Sequence, residues 1–183
     1  MSHLRLLASS PPQVTPDEAC LEAFQRELNY VHRTLRRMGT SVSEVEDLLQ
    51  DVFLALRRSW SDYDQRRPLR PYLFGIMFRL VSAHQRKRKR EVTPGMVEPY
   101  DNGLLPDEVL ESKQSRAMVL AALERIPLPR RAVLMMYDLD AVSIREIASV
   151  LAIPMFTAYS RLRKARQELE IALRRLAREA DVR

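Results

Sequence analysis

SIREIASVLAIPMFTAYSRLRKAR, residues 143–166, is the stretch that decides the fold. Ser143 followed by Glu146 has the composition of a helix cap, and apolar residues then recur at helical spacing. The tight connection at 151–153 is followed by Pro154, and proline is favoured in the first turn of a helix. The stretch therefore predicts a short helix, a sharp turn and a second helix, which together form a helix-turn-helix.

The second of these helices has two different faces. The inward face is predicted to consist of Ala158, Leu162, Ala165, Leu169, Ala172 and Leu176. The outward face carries Thr157, Tyr159, Ser160, Arg163, Lys164 and Arg166. Such side chains can reach base edges and phosphates when a helix lies in the major groove. An ordinary solvated basic face is the alternative, but the capped helix and turn in front of it favour duplex DNA binding.

The rest of the chain also predicts helices. Only four of its 183 residues are glycine, and no sustained two-residue alternation occurs, so we expect an all-α fold. Thr15, Pro16 and Glu18 predict a capped helix that ends at Gly39. Its buried stripe is predicted to be Leu21, Phe24, Leu28, Val31, Leu35 and Met38.

A second helix is predicted to start at Ser43, with Glu46 completing a capping box. Its buried side is predicted to be Val45, Leu48, Leu49, Val52, Leu56 and Trp60. A third helix, from about Leu69 to Lys89, is apolar in its first half and basic at its end. Basic groups hold phosphates and aromatic faces accept unstacked bases, so this region suits single-stranded DNA. The alternative is a basic helix end that offsets the helix dipole.

The helical pattern is interrupted between Glu91 and Asp107, where glycines and prolines cluster. We therefore predict two small helical domains, at 17–90 and 109–178, joined by a flexible linker at 91–108. A flexible lead at 1–16 and a tail at 179–183 complete the division. Further helices are expected near 109–126, 129–137, 143–151 and 154–178.

Composition narrows the possible functions. The net charge of +6 favours a polyanionic partner where the basic residues cluster. A single cysteine, Cys20, excludes an internal disulfide and is interpreted as structural. The scattered histidines and the lack of a phosphate loop or catalytic constellation predict no metal, no cofactor and no enzymatic activity. We expect a cytoplasmic protein without a membrane span.

Two segments in the expected order resemble one family. Residues 46–53, EDLLQDVF, look like the region 2.2 signature of the sigma-70 family of RNA polymerase sigma factors. Residues 69–74 and the following basic helix resemble regions 2.3 and 2.4, and 143–169 is similar to region 4.2. The resemblance covers about 17–177 and lacks the intermediate domain of larger sigma factors. It therefore indicates the extracytoplasmic-function (ECF) group.

The resemblance implies a bacterial transcription initiation factor that binds core RNA polymerase through its β′ clamp helices and β flap. The residues that correspond to the clamp-binding surface are Asp47, Leu48, Gln50, Asp51 and Phe53. Capture of the melted −10 element would fall to Arg66, Arg67, Arg70, Tyr72, Arg79, Arg86 and Lys87. The outward face of the last helix would read the −35 duplex. Regulation by an anti-sigma factor and a nucleoid-associated location are also implied.

Some positions depart from the family pattern. Relatives usually have glycine where Ala152 and Phe156 stand. A left-handed alanine would cost about 1 kcal/mol, so we expect the turn at Ala152 to be shaped differently. Tryptophan is common at the position of Tyr72 and asparagine at that of Arg79, and a basic residue is frequent where Tyr159 stands.

Three other functions remain open from the residues alone. A helix-turn-helix regulator could bind operators without polymerase, and a helical adaptor could use its basic faces on acidic proteins. A nucleic-acid-processing enzyme is disfavoured because candidate catalytic groups are lacking.

Overall fold

The computed structural model describes residues 15–91 and 110–181, and every regular element in these ranges is helical, which confirms the all-α prediction. The first half contains α1 (Pro16–Arg37), α2 (Val42–Arg58), a 3-10 turn (Trp60–Asp62) and α3 (Leu69–Glu91). The second half contains α4 (Leu110–Glu124), α5 (Leu128–Leu134), a π-helical turn (Met135–Leu139), α6 (Ile144–Val150) and α7 (Met155–Asp181).

Helix α1 starts at the predicted cap. The Thr15 hydroxyl accepts a hydrogen bond from the Glu18 amide, and the Glu18 carboxylate accepts one from the Thr15 amide at 2.8 Å. The predicted buried stripe is only partly correct, because Leu21 and Leu28 are exposed. The helix instead buries a face that also includes Cys20, Ala23, Tyr30 and Thr34. This face packs against α2 and α3, and Tyr30 also reaches Asp140 in the second half of the chain.

The cap of helix α2 lies two residues before the predicted one, so the assignment of Ser43 and Glu46 is wrong. Ser41 forms the cap, and its amide and hydroxyl donate to the Glu44 carboxylate at 2.8 and 2.6 Å. Glu44 also lies 2.9 Å from His84 and 3.6 Å from Arg88 on α3. These partners on a neighbouring helix explain why Glu44, and not Glu46, completes the cap.

Each half contributes its own set of buried residues to the core. Helices α1, α2 and α3 surround Val31, Val52 and Phe74, and α7 packs along α4, α5 and α6 around Ile126 and Ile147. Most of the predicted core positions of α2 and α7 are buried or half-buried. Helix α7 continues to Asp181, so residues 179–181 are helical and not a tail. The predicted linker lies, apart from Glu91, outside the described residues.

The two halves pack directly against each other. Arg131 on α5 is buried and donates hydrogen bonds to the carbonyls of Glu124 and Ile126 and, at 3.1 Å, to that of Arg37 in the last turn of α1. Gly39 has a φ of +88°, and a Cβ there would lie 2.7 Å from the Arg131 guanidinium. Glycine is therefore favoured at position 39 for two reasons: its positive φ is strained for other residues, and a side chain there would displace the Arg131 guanidinium.

A second contact joins α3 to α6. A Cβ on Gly75 would lie 3.1 Å from the side chain of Val150, so the lack of a side chain lets the two helices approach closely. Buried residues from both halves belong to one continuous apolar cluster. The second half therefore sits over the start of α3.

Candidate nucleic-acid interface

The turn between α6 and α7 has the left-handed form that a glycine would favour. Ala152 has a φ of 51°, which corrects the expectation of a different shape. The amide of Ile153 donates to the carbonyl of Ala148 at 2.9 Å, and that of Ala152 to Ser149 at 3.2 Å. This pair of bonds is the Schellman motif that ends many helices. Alanine accepts the strained conformation because the motif and the packing on both sides hold it there.

Helix α6 is capped as predicted, because the Ser143 hydroxyl accepts a hydrogen bond from the Glu146 amide at 3.3 Å. Helix α7 then starts at Met155 with its predicted inward residues against the rest of the second half. The helix-turn-helix is therefore present, and α7 is its second helix.

The exposed face of α7 brings together most of the predicted duplex-binding residues. Tyr159, Ser160, Arg163 and Lys164 are exposed, and Thr157 is half-buried beside them. Arg166 lies to one side, where its Nε donates to Asp138 at 3.1 Å and its guanidinium lies 5.2 Å from the centre of the Tyr137 ring. Arg166 is therefore engaged within the protein in this arrangement.

Sequence analysis noted Phe156 as a departure from the family pattern but assigned it no role. Its side chain is 74% exposed, the highest value among the large apolar side chains of the described residues. It lies in the first turn of α7 next to the predicted DNA-binding residues. Phe156 is an apolar residue outside the predicted inward stripe, which could have indicated a contact surface. A single exposed apolar residue is common, however, and does not by itself indicate a function.

The start of α3 forms an aromatic cavity. The rings of Trp60 and Tyr63 lie 5.5 Å apart, and those of Tyr63 and Tyr72 lie 4.8 Å apart. These tyrosines line a cavity of about 300 Å³ together with Arg67 and Arg79. The opposite wall is formed by the second half of the chain, through Glu146, Ser149 and Val150 of α6.

The other residues predicted to bind the −10 strand lie outside this cavity. Arg66 pairs with Asp64 at 2.9 Å, and Arg70 pairs with Glu27 at 2.8 Å. The guanidinium of Arg70 also lies 5.1 Å from the centre of a tyrosine ring on α1. Arg86 and Lys87 are exposed, but at a rise of 1.5 Å per residue they lie about 21 Å along α3 from Tyr72. The predicted −10 residues therefore lie in three places. Arg67, Tyr72 and Arg79 line the cavity, Arg66 and Arg70 form ion pairs, and Arg86 and Lys87 lie further along α3.

Helix α2 presents an acidic and amide surface. Asp47, Gln50 and Asp51 are exposed at helical spacing, and Leu54 is a large exposed apolar residue on the same face. Phe53 is half-buried, with its ring 5.2 Å from that of Phe24. Leu48 is only 5% exposed. Leu48 therefore belongs to the core beneath this surface rather than to the exposed face itself.

Glu44 is the most strongly perturbed carboxyl group near these surfaces. Burial alone raises its pKa, but hydrogen bonds from the side chain and backbone of Ser41 and from His84 outweigh this effect. Together they lower the pKa of Glu44 to about 2. Glu44 is therefore an ionised structural link between α2 and the basic end of α3.

Other kinds of site find no support in residues 15–91 and 110–181. These ranges contain no cluster of three or more histidine, cysteine or acidic side chains suited to a metal ion. Cys20 is buried, and burial raises the pKa of its thiol. Within the same ranges, no helix is long and apolar enough to cross a membrane.

Comparison with known proteins now adds to this geometry. Residues 23–91 match the family model for sigma-70 region 2, and residues 116–169 match that for sigma-70 region 4. The ECF RNA polymerase sigma factor SigE of Mycolicibacterium smegmatis is 27% identical over 163 residues, which are 85% of this chain and 63% of that protein. The chain thus spans less than two thirds of the length of SigE. SigW of Bacillus subtilis is 25% identical over 80% of this chain and 84% of its own length.

Solved structures share the fold. CnrH in complex with the cytosolic domain of CnrY gives a TM-score of 0.60 at 22% identity, over 85% of this chain and 87% of that one. The sigma factor RpoE in complex with the anti-sigma factor NepR from Bartonella quintana gives a TM-score of 0.60 at 22% identity, over 84% and 98%.

Together the two family models match more than half of the chain. The chain belongs to the sigma-70 family of RNA polymerase sigma factors and, by its relatives, to the ECF group. It is a promoter-recognising transcription initiation factor.

Proposed function

We propose that each surface described above has its own task in initiation. The observation that carries the proposal is that one chain combines a helix-turn-helix having an exposed basic face with an aromatic, arginine-lined cavity. The first suits duplex DNA and the second suits an unpaired base. A regulator that binds only duplex operators would have no use for the second.

Polymerase binding is assigned to the exposed face of α2. Asp47, Gln50 and Asp51 offer carboxylate and amide oxygens beside the apolar side chain of Leu54. This mixture of polar and apolar groups suits a helix of a partner protein, in keeping with the β′ clamp helices that the family resemblance implies. Phe53 would support the surface from its half-buried position. The β flap would meet the second half.

Reading of the −35 duplex is assigned to Thr157, Tyr159, Ser160, Arg163 and Lys164. Arginine and lysine donate to guanine edges and to phosphates in the major groove. Arg166 would join them only after giving up its pair with Asp138. We therefore place it at the edge of this surface.

Capture of the −10 strand is assigned to the cavity at the start of α3. A base turned out of the duplex would stack on Tyr72, while Arg67 and Arg79 would hold its polar edge or the adjacent phosphate. Arg66 and Arg70 would track the backbone near the entrance, and Arg86 and Lys87 would contact DNA further along. The binding free energy of the unpaired strand would drive strand separation without ATP.

The packed arrangement of the two halves, which we call the closed form, must open before the −10 and −35 elements can be bound at the same time. The −10 and −35 elements lie about 25 base pairs apart, or about 85 Å of B-form DNA. A compact chain of this length has a radius of gyration of about 16 Å. Moreover, α6 forms one wall of the cavity that we assign to the −10 base. We therefore infer that the halves act as separate domains, at about 17–90 and 109–178, once polymerase and promoter are bound.

The packed halves also suggest how activity is held back. The solved RpoE complex pairs a sigma factor with an anti-sigma factor. We propose an anti-sigma partner for this chain that binds both halves and stabilises the closed form. We also propose that the protein acts in the cytoplasm at the nucleoid, and that it contributes binding free energy and no catalytic group.

The test is reconstitution with bacterial core RNA polymerase and promoter DNA. Wild-type protein should bind core polymerase saturably and direct initiation from specific sites. Asp51→Arg should abolish polymerase binding by reversing the charge of an exposed residue, while Glu170→Arg, at an exposed residue of α7, is the matched control. DNA binding without any polymerase binding would instead favour a helix-turn-helix regulator.

A further inference from the structure

The first turn of α7 carries an apolar cluster that its own fold leaves exposed. Phe156 is 74% exposed, Tyr159 is 58% exposed, and Met155 beside them is 46% exposed. Leaving an aromatic ring in water forgoes the free energy that burial would provide. A single exposed apolar residue is ordinary, but three in one turn of the second helix of a helix-turn-helix form a patch.

The position of this patch on α7 follows from helical geometry. At 3.6 residues per turn, Phe156, Tyr159 and Arg163 fall within an arc of roughly 60°. The fully buried residues Ala158 and Ala165 lie on the opposite side of the helix. Phe156 therefore faces the same way as the basic residues that we assign to −35 binding, and it lies about 10 Å nearer the start of α7 than Arg163.

The major groove offers one apolar group among its base edges, which is the C5-methyl group of thymine. The other groups exposed there are hydrogen-bond donors and acceptors, which an aromatic ring cannot satisfy. The N-terminal residues of a recognition helix are those that reach base edges. Arg163 and Lys164, further along α7, supply the positive charge that holds the polyanion in place.

We propose that Phe156, with Tyr159 beside it, determines specificity by packing against thymine methyl groups of the −35 element. The proposal rests on the assignment of α7 to the −35 duplex. It adds a requirement for thymine at one or two positions that polar side chains alone would not impose. Burial of one methyl group against the ring should strengthen binding about three- to fivefold.

The experiment separates the methyl group from all other features of the base. The full chain, bound to core polymerase, is used to select duplexes from a pool randomised over the −35 region. Each thymine of a selected duplex is then replaced by deoxyuridine, which pairs identically but lacks the methyl group. For wild-type protein, we expect one or two replacements to weaken binding about three- to fivefold, with no effect elsewhere.

Phe156→Ala should bind the thymine and deoxyuridine duplexes equally at those positions. Ile171→Ala is the matched control, since Ile171 is a 67% exposed apolar residue further along α7, and it should keep the wild-type preference. Neither residue is part of the core, so both variants should fold.

Four outcomes would overturn the inference. Equal binding of thymine and deoxyuridine duplexes by wild-type protein, or an unchanged preference in Phe156→Ala, would exclude a methyl contact. Loss of polymerase binding in Phe156→Ala would show that the ring contacts polymerase instead. Failure to enrich any duplex would contradict the −35 assignment itself, and so is distinguishable from failure of the methyl contact alone.

Discussion

The hydroxyl of Tyr30 on α1 donates a 2.7 Å hydrogen bond to the carboxylate of Asp140, which lies 110 residues further along the chain. Tyr30 is buried and Asp140 is half-buried, and this burial is the main reason that the pKa values of both groups are raised. Each is therefore a polar group that needs its partner in the closed form.

Tyr30→Phe should weaken the contact between the halves by about 1–3 kcal/mol, because it leaves the half-buried Asp140 carboxylate without this donor. We expect a larger separation of fluorophores placed on α2 and α7 in the free protein. Tyr137→Phe, which alters an exposed tyrosine, should leave the separation unchanged. An unchanged separation in Tyr30→Phe would mean that this bond does not hold the halves together.

The Glu44 carboxylate should contribute to stability in a defined pH range. Its pKa is lowered to about 2 in the folded protein, from 4.5 for an unperturbed glutamate. A lowered pKa stabilises the fold fully above about pH 4.5, and this contribution is lost as the pH falls toward 2. Glu44→Gln should be less stable at pH 7 and lose less stability between those pH values, as measured by urea unfolding. Parallel wild-type and variant profiles would contradict the assignment.

Replacing Arg163 and Lys164 together with alanine should weaken −35 duplex binding at least about tenfold at moderate salt. Loss of two phosphate or base contacts should reduce the slope of log affinity against log salt by about 2. Polymerase binding should be nearly unchanged. Arg174→Ala with Arg175→Ala, on the same helix but about 16 Å further along, is the matched control. An equal loss of DNA and polymerase binding would refute the division of tasks.

Ala152→Gly should stabilise the protein by about 1 kcal/mol, since it removes a left-handed alanine from the Schellman motif. For a chain of this length, the midpoint of thermal unfolding should rise by about 2–4 °C. Ala148→Gly, in the helix before the turn, should instead destabilise it. A lower midpoint in Ala152→Gly would mean that the methyl group contributes packing that outweighs the strain.

Local patterns predicted the helices and the helix-turn-helix well, because caps and apolar periodicity act over a few residues. Local patterns failed where contacts with residues far along the chain determine which cap forms or which helix face is buried. Ser43 and Glu46 match a capping box as well as Ser41 and Glu44, and the two pairs differ in that Glu44 meets His84 and Arg88 on α3. Leu21 and Leu28 fit a helical stripe, but the face that is buried also covers Tyr30, whose partner is Asp140.

The same distinction applies to the candidate site: features of a single helix were predictable, and features formed by distant segments were not. The basic face of α7 was predictable because it lies on one helix. Arg66, Arg67 and Arg70 look equivalent in sequence, yet only Arg67 lines the cavity, because the other two pair with Asp64 and Glu27. The wall that α6 contributes to this cavity joins segments far apart in the chain, and no local pattern encodes it.

The fit of Arg131 against Gly39 limits how freely the halves of such proteins can be exchanged. A chimera that joins this first half to a second half without the arginine would leave the carbonyl of Arg37 without that donor. A chimera that places any larger residue at Gly39 would drive it into the guanidinium. Engineers who recombine promoter specificities from different relatives should therefore treat these two positions as a matched pair and transfer them together.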